Sequence, residues 1–375
     1  MEAYIQEHLE QLRTLIRELC VIPAPSFREG RRAAFLREWL EAHGAEGVTV
    51  DTAQNVVWPM GNTEEGPLTV FMAHTDTVFP DLEPMPFREE NGRYYCPGVT
   101  DDTAQLAVLL ISALFFKKRL PKHGVLIVAN ACEEGLGNLK GSRAIVERYG
   151  SRMEALVTID GTNLHEIVSK AVGSHRYRVT ALTEGGHSFG DFGKPSAIHA
   201  LAGLISELCR QPVPQEDGSK TTYNVGCISG GTSVNTIAQQ AEMLYEYRSD
   251  SRACLSQMEA AFRTAVAQME GEGVQFRVEK IGDRPCAGAV DPEKQQHLLQ
   301  RAGETVRKVT GREPVFRSGS TDCNAALGAG IPAVCIGGCI GGGCHTREEY
   351  LELDSLADGC RLVMQFLSHY FEEEK

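Results

Sequence analysis

Short apolar runs recur along the chain, and several of them end abruptly in polar residues. The clearest run covers residues 68–73 (Leu-Thr-Val-Phe-Met-Ala), and the triplet His-Thr-Asp follows it at 74–76. Similar runs cover residues 125–129 and 156–159. Nearly continuous apolar segments of this length predict strands that are buried on both faces of a sheet. We therefore expect the central strands to be covered by helices on both sides.

Segments with helical periodicity alternate with these strands. Apolar residues recur at intervals of three or four from Ile5 to Leu19, and Pro23 and Pro25 end that pattern. Further helices are predicted for residues 31–43, 103–117, 142–149, 297–309, 322–327 and 353–371, and further strands for residues 48–50, 55–57 and 333–336. This alternation predicts an α/β domain with a largely parallel or mixed sheet.

The order of elements changes between residues 174 and 281. Here the pattern predicts strand, helix, strand, strand, helix and strand at residues 177–181, 197–209, 223–228, 243–247, 255–269 and 276–278. The order β-α-β-β-α-β is that of the ferredoxin-like motif. We therefore predict a discontinuous α/β domain formed by residues 1–172 and 284–375, with residues 173–283 as an inserted α+β domain. The linkers near Val172 and Gly282 are candidate hinges.

Composition narrows the range of partners. A chain of 375 residues is long enough for two domains with separate cores. Its net charge of −13 argues against nucleic acid or an anionic membrane as a partner, because basic patches drive those associations. The start of the chain lacks a signal-peptide pattern, and the longest apolar run, residues 106–116, is too short to span a bilayer. We therefore expect a cytoplasmic protein whose twelve cysteines are reduced thiols.

Histidines and acidic residues follow the ends of several predicted strands. His74 and Asp76 are two residues apart and so point to the same side of an extended chain. The other candidates are Asp101, Glu133, Glu134, Asp160 and His345. In open α/β sheets the ligand crevice lies outside the carboxyl ends of the strands, where distant residues can converge. Two imidazoles with several carboxylates suit Zn²⁺, Co²⁺ or Mn²⁺ better than a thiolate site would.

Taken together, these motifs resemble those of the M20 metallopeptidases. That family includes tripeptidases similar to peptidase T, glutamate carboxypeptidases, succinyl-diaminopimelate desuccinylase and aminoacylases. The resemblance covers nearly the whole chain and rests on HTD at 74–76, GVTDD at 98–102, EEG at 133–135, DG at 160–161, GHS at 186–188, GSTD at 319–322 and CHT at 344–346. It implies a mixed-sheet α/β catalytic domain with a two-metal exopeptidase site and an inserted ferredoxin-like lid domain.

The resemblance also implies how two divalent metal ions are held. One ion is expected on His74, Asp101 and Asp160. The other is expected on Asp101, Glu134 and His345, so that Asp101 bridges the pair. Zinc is the first expectation, with cobalt or manganese as alternatives. Two such ions can activate one water molecule and polarise the scissile carbonyl together.

The remaining candidates are expected to handle protons and substrate. Asp76 should orient the ligating imidazole two residues earlier, and Glu133 should act as the general base that delivers a proton to the leaving amine. In the inserted domain, His187 resembles the family histidine that stabilises the oxyanion, which in several members comes from a partner subunit. A homodimer through this domain is compatible with that role. Asn235 and Arg248 resemble residues that hold a substrate carboxylate.

Several of these residues also have simpler interpretations. The acidic pair at 133–134 could be exposed at the start of a loop. An Asp before a helix is an ordinary N-cap, and we expect Asp102 or Thr103 to cap while Asp101 binds metal. Many family members carry Lys shortly after the bridging Asp, where this chain has Thr103. A separate zinc site could be formed by Cys335, Cys339, Cys344 and His345.

The predicted function is hydrolysis of short peptides by a metal-dependent exopeptidase. The glycine-rich residues 337–343 and the segment 319–322 favour the peptidase T-like branch, with di- or tripeptidase activity. An N-acyl amino acid amidohydrolase is the enzymatic alternative, because it would use the same metals on a different acyl group. A catalytically silent binding protein on the same scaffold is the alternative of another class, and the presence of Glu133 with a full ligand set argues against it.

Overall fold

The computed structural model describes residues 1–216 and 218–372. The helices are α1 Glu2–Cys20, α2 Gly30–Ala42, α3 Ala104–Leu114, α4 Lys140–Tyr149, α5 Ala197–Arg210, α6 Arg252–Met269, α7 Pro292–Thr310, α8 Cys323–Gly328 and α9 Leu356–Leu367. The strands are β1 Thr49–Val50, β2 Val56–Met60, β3 Leu68–His74, β4 Arg88–Glu90, β5 Arg93–Tyr95, β6 Gly124–Asn130, β7 Met153–Gly161, β8 Glu166–Ala171, β9 Gly173–Leu182, β10 Gly186–His187, β11 Thr221–Gly230, β12 Thr236–Ile237, β13 Gln240–Ser249, β14 Gln275–Arg284, β15 Val315–Gly319, β16 Ala333–Gly337, β17 Gly341–Gly342 and β18 Tyr350–Glu352. Two compact units result, one formed by Met1–Ala171 with Gly288–Lys375 and the other by Val172–Ala287.

The first unit is built on a mixed sheet of eight strands. Their order is β1-β2-β6-β3-β7-β16-β8-β15. Strand β3 is parallel to both β6 and β7, and β16 is parallel to β7. Strands β2 and β8 pair in the antiparallel direction with β6 and β16 respectively. The predicted α/β class with a mixed sheet is therefore confirmed.

Both faces of this sheet are covered by helices. Every residue of β3 is buried. Phe71 packs in the cluster that contains side chains of α1, α3 and α9, whereas Met72 packs in the cluster that contains Ile145 of α4 and Ala326 of α8. Burial of one large apolar side chain contributes roughly 1.5–3 kcal/mol. The double burial explains why this strand is a continuous apolar run without polar alternation.

The parallel strands also place their carboxyl ends at one edge of the sheet. His74 ends β3, Asn130 ends β6 and Gly337 ends β16, while Asp160 is the second-last residue of β7. A smaller sheet in the same unit has the order β17-β18-β5-β4. Its short strands were not predicted, because two or three residues give no clear periodicity.

The most apolar helix of the first unit is α3. All eleven of its residues are buried, as expected for a core helix. Eleven residues span only about 16 Å. Among the described helices, none is both long enough and apolar enough to cross a membrane. All twelve cysteines of the chain are free thiols.

The second unit has the predicted β-α-β-β-α-β order. Strands β9, β11, β13 and β14 form an antiparallel sheet with the order β11-β13-β9-β14, and α5 and α6 follow the first and third of its strands. Tyr177, Tyr245 and Phe262 lie in its buried core. Ser251 caps α6, because its side chain accepts a hydrogen bond from the backbone of Cys254. This unit therefore has a core of its own.

Candidate metal centre

Asp101 lies between two imidazoles at the carboxyl edge of the large sheet. Its Oδ1 is 3.0 Å from Nε2 of His74, and its Oδ2 is 3.1 Å from Nε2 of His345. The same His345 nitrogen is 3.3 Å from Oε1 of Glu134. Asp101 precedes α3, Glu134 follows β6 and His345 follows β17, so three separate loops converge on the end of β3. This is the convergence expected where neighbouring parallel strands end.

Two groups of side chains bring their potential ligand atoms within 4.8 Å of one another. One group is His74, Asp101 and Glu134, and the other is His74, Asp102 and Asp160. Asp102 thus lies beside Asp160, a position for which the sequence pattern suggested Asp101. In residues 1–216 and 218–372 neither group includes a cysteine. The alternative of a separate cysteine site therefore gains no support.

The buried carboxylates of this centre are short of positive charge. Burial raises the pKa of Asp102 and of Asp160 well above the ordinary range, and it raises the pKa of Glu134 to about 7. Oδ1 of Asp102 accepts no hydrogen bond from the residues that the structure describes. Buried carboxylates in this state are stabilised by a nearby cation. The donor set therefore fits divalent metal ions.

The two imidazoles respond to the same negative surroundings. Hydrogen bonds with Asp101 and Glu134 raise the pKa of His345 to about 10. Burial would lower the pKa of His74, but the charge of Asp102 and its hydrogen bonds to Asp101 and Asp76 raise it well above the usual value. Without metal, both rings are therefore held protonated by the surrounding carboxylates.

Asp76 connects the end of β3 with the acidic pair that follows β6. Its two carboxylate oxygens accept hydrogen bonds from the backbone N–H groups of Glu133 and Glu134, both at 2.9 Å, and from the hydroxyl of Ser26 at 2.6 Å. Nδ1 of His74 lies 3.0 Å from the carbonyl of Asp76 and 3.4 Å from its Oδ1. Glu133 and Glu134 are only 4% and 5% exposed. The interpretation of an exposed acidic pair is therefore wrong.

The cap expected at Asp102 or Thr103 is also absent. Helix α3 begins after Thr103, whose side chain makes no capping hydrogen bond. Asp102 instead accepts a hydrogen bond of 2.7 Å from the backbone N–H of His74. The carboxylate thus ties the loop before α3 to the end of β3.

Glu349 is a site residue that the sequence pattern did not indicate. It is fully buried and accepts hydrogen bonds from the backbone N–H groups of Gly98, Thr100 and Asp101 at 2.8–3.0 Å. The hydroxyl of Thr100 also donates to it at 2.8 Å. Glu349 follows His345 by four residues in a Thr-Arg-Glu-Glu run, which resembles an exposed charged stretch. Its proximity to His345 was the only available signal.

Two of the candidates in the second unit lie close together. Strands β10 and β12 pair His187 with Thr236, and the N–H of Ser188 donates to the carbonyl of Asn235 at 3.0 Å. Nδ1 of His187 accepts hydrogen bonds from the backbone N–H groups of Phe189 and Gly190. A neutral imidazole that accepts at Nδ1 carries its proton on Nε2. His187 is exposed, so that proton is available to a ligand.

Arg248 occupies a different part of the second unit. It lies eight residues after Gln240 along β13, which corresponds to about 27 Å of strand. Its guanidinium forms a fork with Glu246, with Nε to Oε1 at 3.0 Å and Nη2 to Oε2 at 3.1 Å. Within this unit, the fold does not bring Arg248 to the His187 loop.

The fold and the cluster of imidazoles and carboxylates define a metal-dependent hydrolase. Residues 70–369 match Peptidase family M20/M25/M40, and the chain belongs to that family. The membership inferred from the motifs is thereby confirmed, and the chain is a hydrolase of peptide or amide bonds.

Several similar proteins cover most of the chain. Uncharacterized protein YqjE of Bacillus subtilis is 26% identical over 336 residues, which are 85% of each chain. Succinyl-diaminopimelate desuccinylase of Pseudomonas fluorescens is 24% identical over 277 residues, covering 68% of this chain and 70% of that one. The crystal structure of a tripeptidase from Staphylococcus aureus superposes with a TM-score of 0.77 at 23% identity, over 96% of this chain and 98% of that one. The last comparison supports the same fold.

Proposed function

We propose that the chain is a two-metal exopeptidase that hydrolyses short peptides. The observation that carries this proposal is the position of Asp101, with each carboxylate oxygen facing a different imidazole. A carboxylate in that position is suited to bridge two cations. Family membership supplies the bond class, and the similarity of the fold to that of a tripeptidase favours a short substrate.

In this proposal His74, Asp101 and Asp160 hold one divalent ion. Asp101, Glu134 and His345 hold the other, and Asp102 supports the backbone of His74. The bound ions would supply Lewis acidity toward a water molecule and toward the scissile carbonyl. The mixture of imidazole and carboxylate donors favours zinc, with cobalt and manganese as alternatives.

Glu133 is proposed as the general base. One of its carboxylate oxygens would accept a proton from the attacking water. Glu133 would then pass that proton to the nitrogen of the leaving amine. Asp76 fixes its backbone through the 2.9 Å hydrogen bond from its N–H, and the side chain is nearly buried. The neighbouring Asp322 is also buried, with a pKa raised to about 7 by burial and then by the charge of Glu133.

The substrate contacts of the second unit belong to the same proposal. His187 would donate a hydrogen bond from its Nε2–H to the carbonyl oxygen as negative charge develops there. Arg248 would bind the substrate's carboxylate, for which a guanidinium fork is well matched. Asn235 lies with His187, away from Arg248 of the same chain, so it would reach that carboxylate from a partner subunit. Because Arg248 already pairs with Glu246, a substrate carboxylate must displace or share that partner.

A substrate panel tests the proposed function. Free di- and tripeptides, N-blocked peptides and N-acyl amino acids are incubated with the protein loaded with Zn²⁺, Co²⁺ or Mn²⁺. We expect the free peptides to be hydrolysed with the highest kcat/KM. Preference for N-acyl amino acids would replace the peptidase proposal with the deacylase alternative. That alternative is favoured by one observation, the similarity to a desuccinylase. Binding without turnover in every arm would identify a silent binding protein.

Carboxylate recognition is tested with matched substrates. Arg248→Ala should lower kcat/KM on a free-acid peptide by a factor equivalent to about 2–4 kcal/mol of binding free energy, because an ion pair with the substrate is lost. The decrease on the C-terminal amide of the same peptide should be much smaller. Glu246→Gln serves as the control, since it keeps the arginine but removes its acidic partner, and it should not reduce activity on the acid. Equal losses on acid and amide in Arg248→Ala would assign the residue to the fold of its own unit.

A further inference from the structure

A cavity lies at the edge of the large sheet opposite the metal centre. It measures about 460 Å³ and is lined in part by Thr69, Ala155 and Pro332. Thr69 and Ala155 stand near the starts of β3 and β7, and Pro332 directly precedes β16. Because these strands are parallel, the cavity lies at their amino ends. Its volume falls within the range of about 300–1,000 Å³ that is typical of small-molecule sites.

The wall of this cavity is basic although the chain is acidic. It carries three cations and three histidines, namely Lys122, Lys294, Arg301, His123, His297 and His369. Glu154 is the acidic residue among its lining residues. In the described part of the chain, no carboxylate oxygen lies within 4.0 Å of a side-chain nitrogen of Lys122, Lys294 or Arg301. Three cations are thus gathered around one carboxylate in a protein of net charge −13.

A buried hydroxyl adds a hydrogen-bonding group to the wall. Tyr370 lines the cavity and is only 4% exposed. Its hydroxyl has no hydrogen-bond partner among residues 1–216 and 218–372. The Arg301 side chain interacts with this hydroxyl without reaching full hydrogen-bond geometry, so the hydroxyl can still donate a hydrogen bond to a ligand in the cavity or accept one from it. The guanidinium of Arg301 lies 5.2 Å from the centre of the same ring, which places a cation beside that hydroxyl.

The cavity is separate from the metal centre. Thr69 lies five residues before His74 on β3, which corresponds to about 17 Å of extended chain. All of the lining residues belong to the first unit. A ligand in the cavity would therefore not touch the residues that converge on Asp101.

We infer that this cavity binds a small, multiply charged oxyanion. Arg301 offers a planar fork of donors that matches carboxylate and phosphate oxygens, Lys122 and Lys294 offer charge, and the hydroxyl of Tyr370 offers a further hydrogen bond. Phosphate groups and clustered carboxylates share this chemistry. The site binds its ligand whether the metal centre processes peptides or N-acyl amino acids.

Isothermal titration of the metal-loaded protein tests the inference. Inorganic phosphate and succinate are the two probes, and each is titrated at low ionic strength and at 0.15 M salt. We expect one equivalent to bind, with at least tenfold weaker affinity in Lys294→Gln and in Arg301→Gln. Lys170→Gln is the matched control, because it removes the same charge from an exposed position outside the cavity. Thermal unfolding of each variant identifies any loss of fold.

A variant that is expected to strengthen anion binding distinguishes a loss of binding from a loss of fold. Glu154→Gln removes the acidic residue of the wall, so it should tighten anion binding severalfold, a result that general destabilisation cannot produce. Tyr370→Phe should weaken binding without changing charge. Stronger binding of phosphate or of succinate identifies which oxyanion the site prefers. The inference is overturned if neither probe binds saturably, or if the wild type and the Lys294→Gln variant bind equally.

Discussion

The two edges of the eight-stranded sheet carry opposite charges and hold them differently. At the carboxyl edge, Glu134 and Asp160 are largely removed from water, and burial raises their pKa values. At the amino edge, Lys122 and Lys294 remain exposed around a cavity. A buried charge depends strongly on its partners, whereas an exposed charge is weakened by solvent and salt. Changes at the carboxyl edge should therefore have much larger effects than changes at the amino edge.

The largest effect is expected at Glu133. Glu133→Gln keeps the size of the side chain but removes its ability to accept a proton. Turnover should fall about 10²–10⁴-fold for loss of general base catalysis alone. Steady-state kinetics on the best peptide substrate measures the change, with metal content determined on the same preparation.

The control for this prediction is the adjacent acidic residue. Glu134→Ala should lose metal, because Glu134 contacts His345 at the centre, whereas Glu133→Gln should retain it. If both variants lost metal to the same extent, Glu133 would be a ligand and the base would have to be found elsewhere.

The next effect concerns metal stoichiometry. Asp101→Ala should reduce binding of both ions, because Asp101 faces both imidazoles, whereas Asp160→Ala should mainly weaken one. Elemental analysis under matched free-metal buffering distinguishes these outcomes. Asp102→Ala is an informative third variant because its oxygen lies in the group with Asp160. Retention of two ions in Asp101→Ala would move the bridging role to another residue.

A smaller effect is expected at Glu349, a positioning residue. Glu349→Gln places an amide N–H₂ where backbone N–H groups now donate, so the Asp101 loop should shift. Loss of a supporting partner of this kind typically weakens metal affinity about 10–100-fold. The neighbouring Glu348→Gln is the matched control, since Glu348 is exposed and pairs with exposed Arg88. Equal metal affinity in the two variants would show that Glu349 serves folding alone.

Much of the fold could be predicted because burial leaves a pattern in the sequence. The run at 68–73 is apolar throughout because Phe71 and Met72 face two different helical layers. The order of elements in the second unit could be predicted for a similar reason, because Tyr245 and Tyr247 alternate with polar neighbours. Strands such as β17, made of two glycines, carry no such pattern and were missed.

The residues of the candidate site could be predicted only where their type and position are uncommon outside functional sites. Histidines and carboxylates at strand ends suggested His74 and Asp160, but Glu349 lies in a charged run whose burial is set by tertiary structure. Asp102 was expected to cap a helix, and it instead binds the backbone of His74. That choice depends on the path of the loop, which local sequence does not determine. The roles of His187, Asn235 and Arg248 remain predictions.

Metal binding should depend on pH, because several of the proposed ligands are protonated when no metal is bound. The pKa of His345 is raised to about 10 and that of Glu134 to about 7, so both must lose protons before they can bind a cation. His74 is held protonated as well, so both imidazoles must release a proton between pH 7 and 9. Metal affinity should therefore rise about a hundredfold per pH unit there, and below pH 7 the slope should steepen. Titration in buffers of different ionisation enthalpy counts the protons. A flat profile would mean that neither group binds metal.

The smallest effect is expected at the amino edge. Lys294 lines the cavity together with Thr69, which is separated from His74 by about 17 Å of extended strand, so we take that distance for its charge. Through water, one unit charge at that distance changes the energy of another by only about 0.2 kcal/mol, and screening at 0.15 M salt reduces this further.

If the field passes mainly through the protein interior, an effective dielectric constant near 20 raises the same interaction to about 1 kcal/mol. Lys294→Gln, assayed on peptides without added oxyanion, therefore distinguishes the two paths. We expect kcat/KM to change by less than twofold at 0.15 M salt, because Lys294 is exposed and solvent surrounds much of its field. A change near fivefold that persists at high salt would show that the two edges are coupled through the buried strands. Charge at the amino edge would then influence the metal centre directly. An anion bound in the basic cavity would in that case be expected to alter metal affinity.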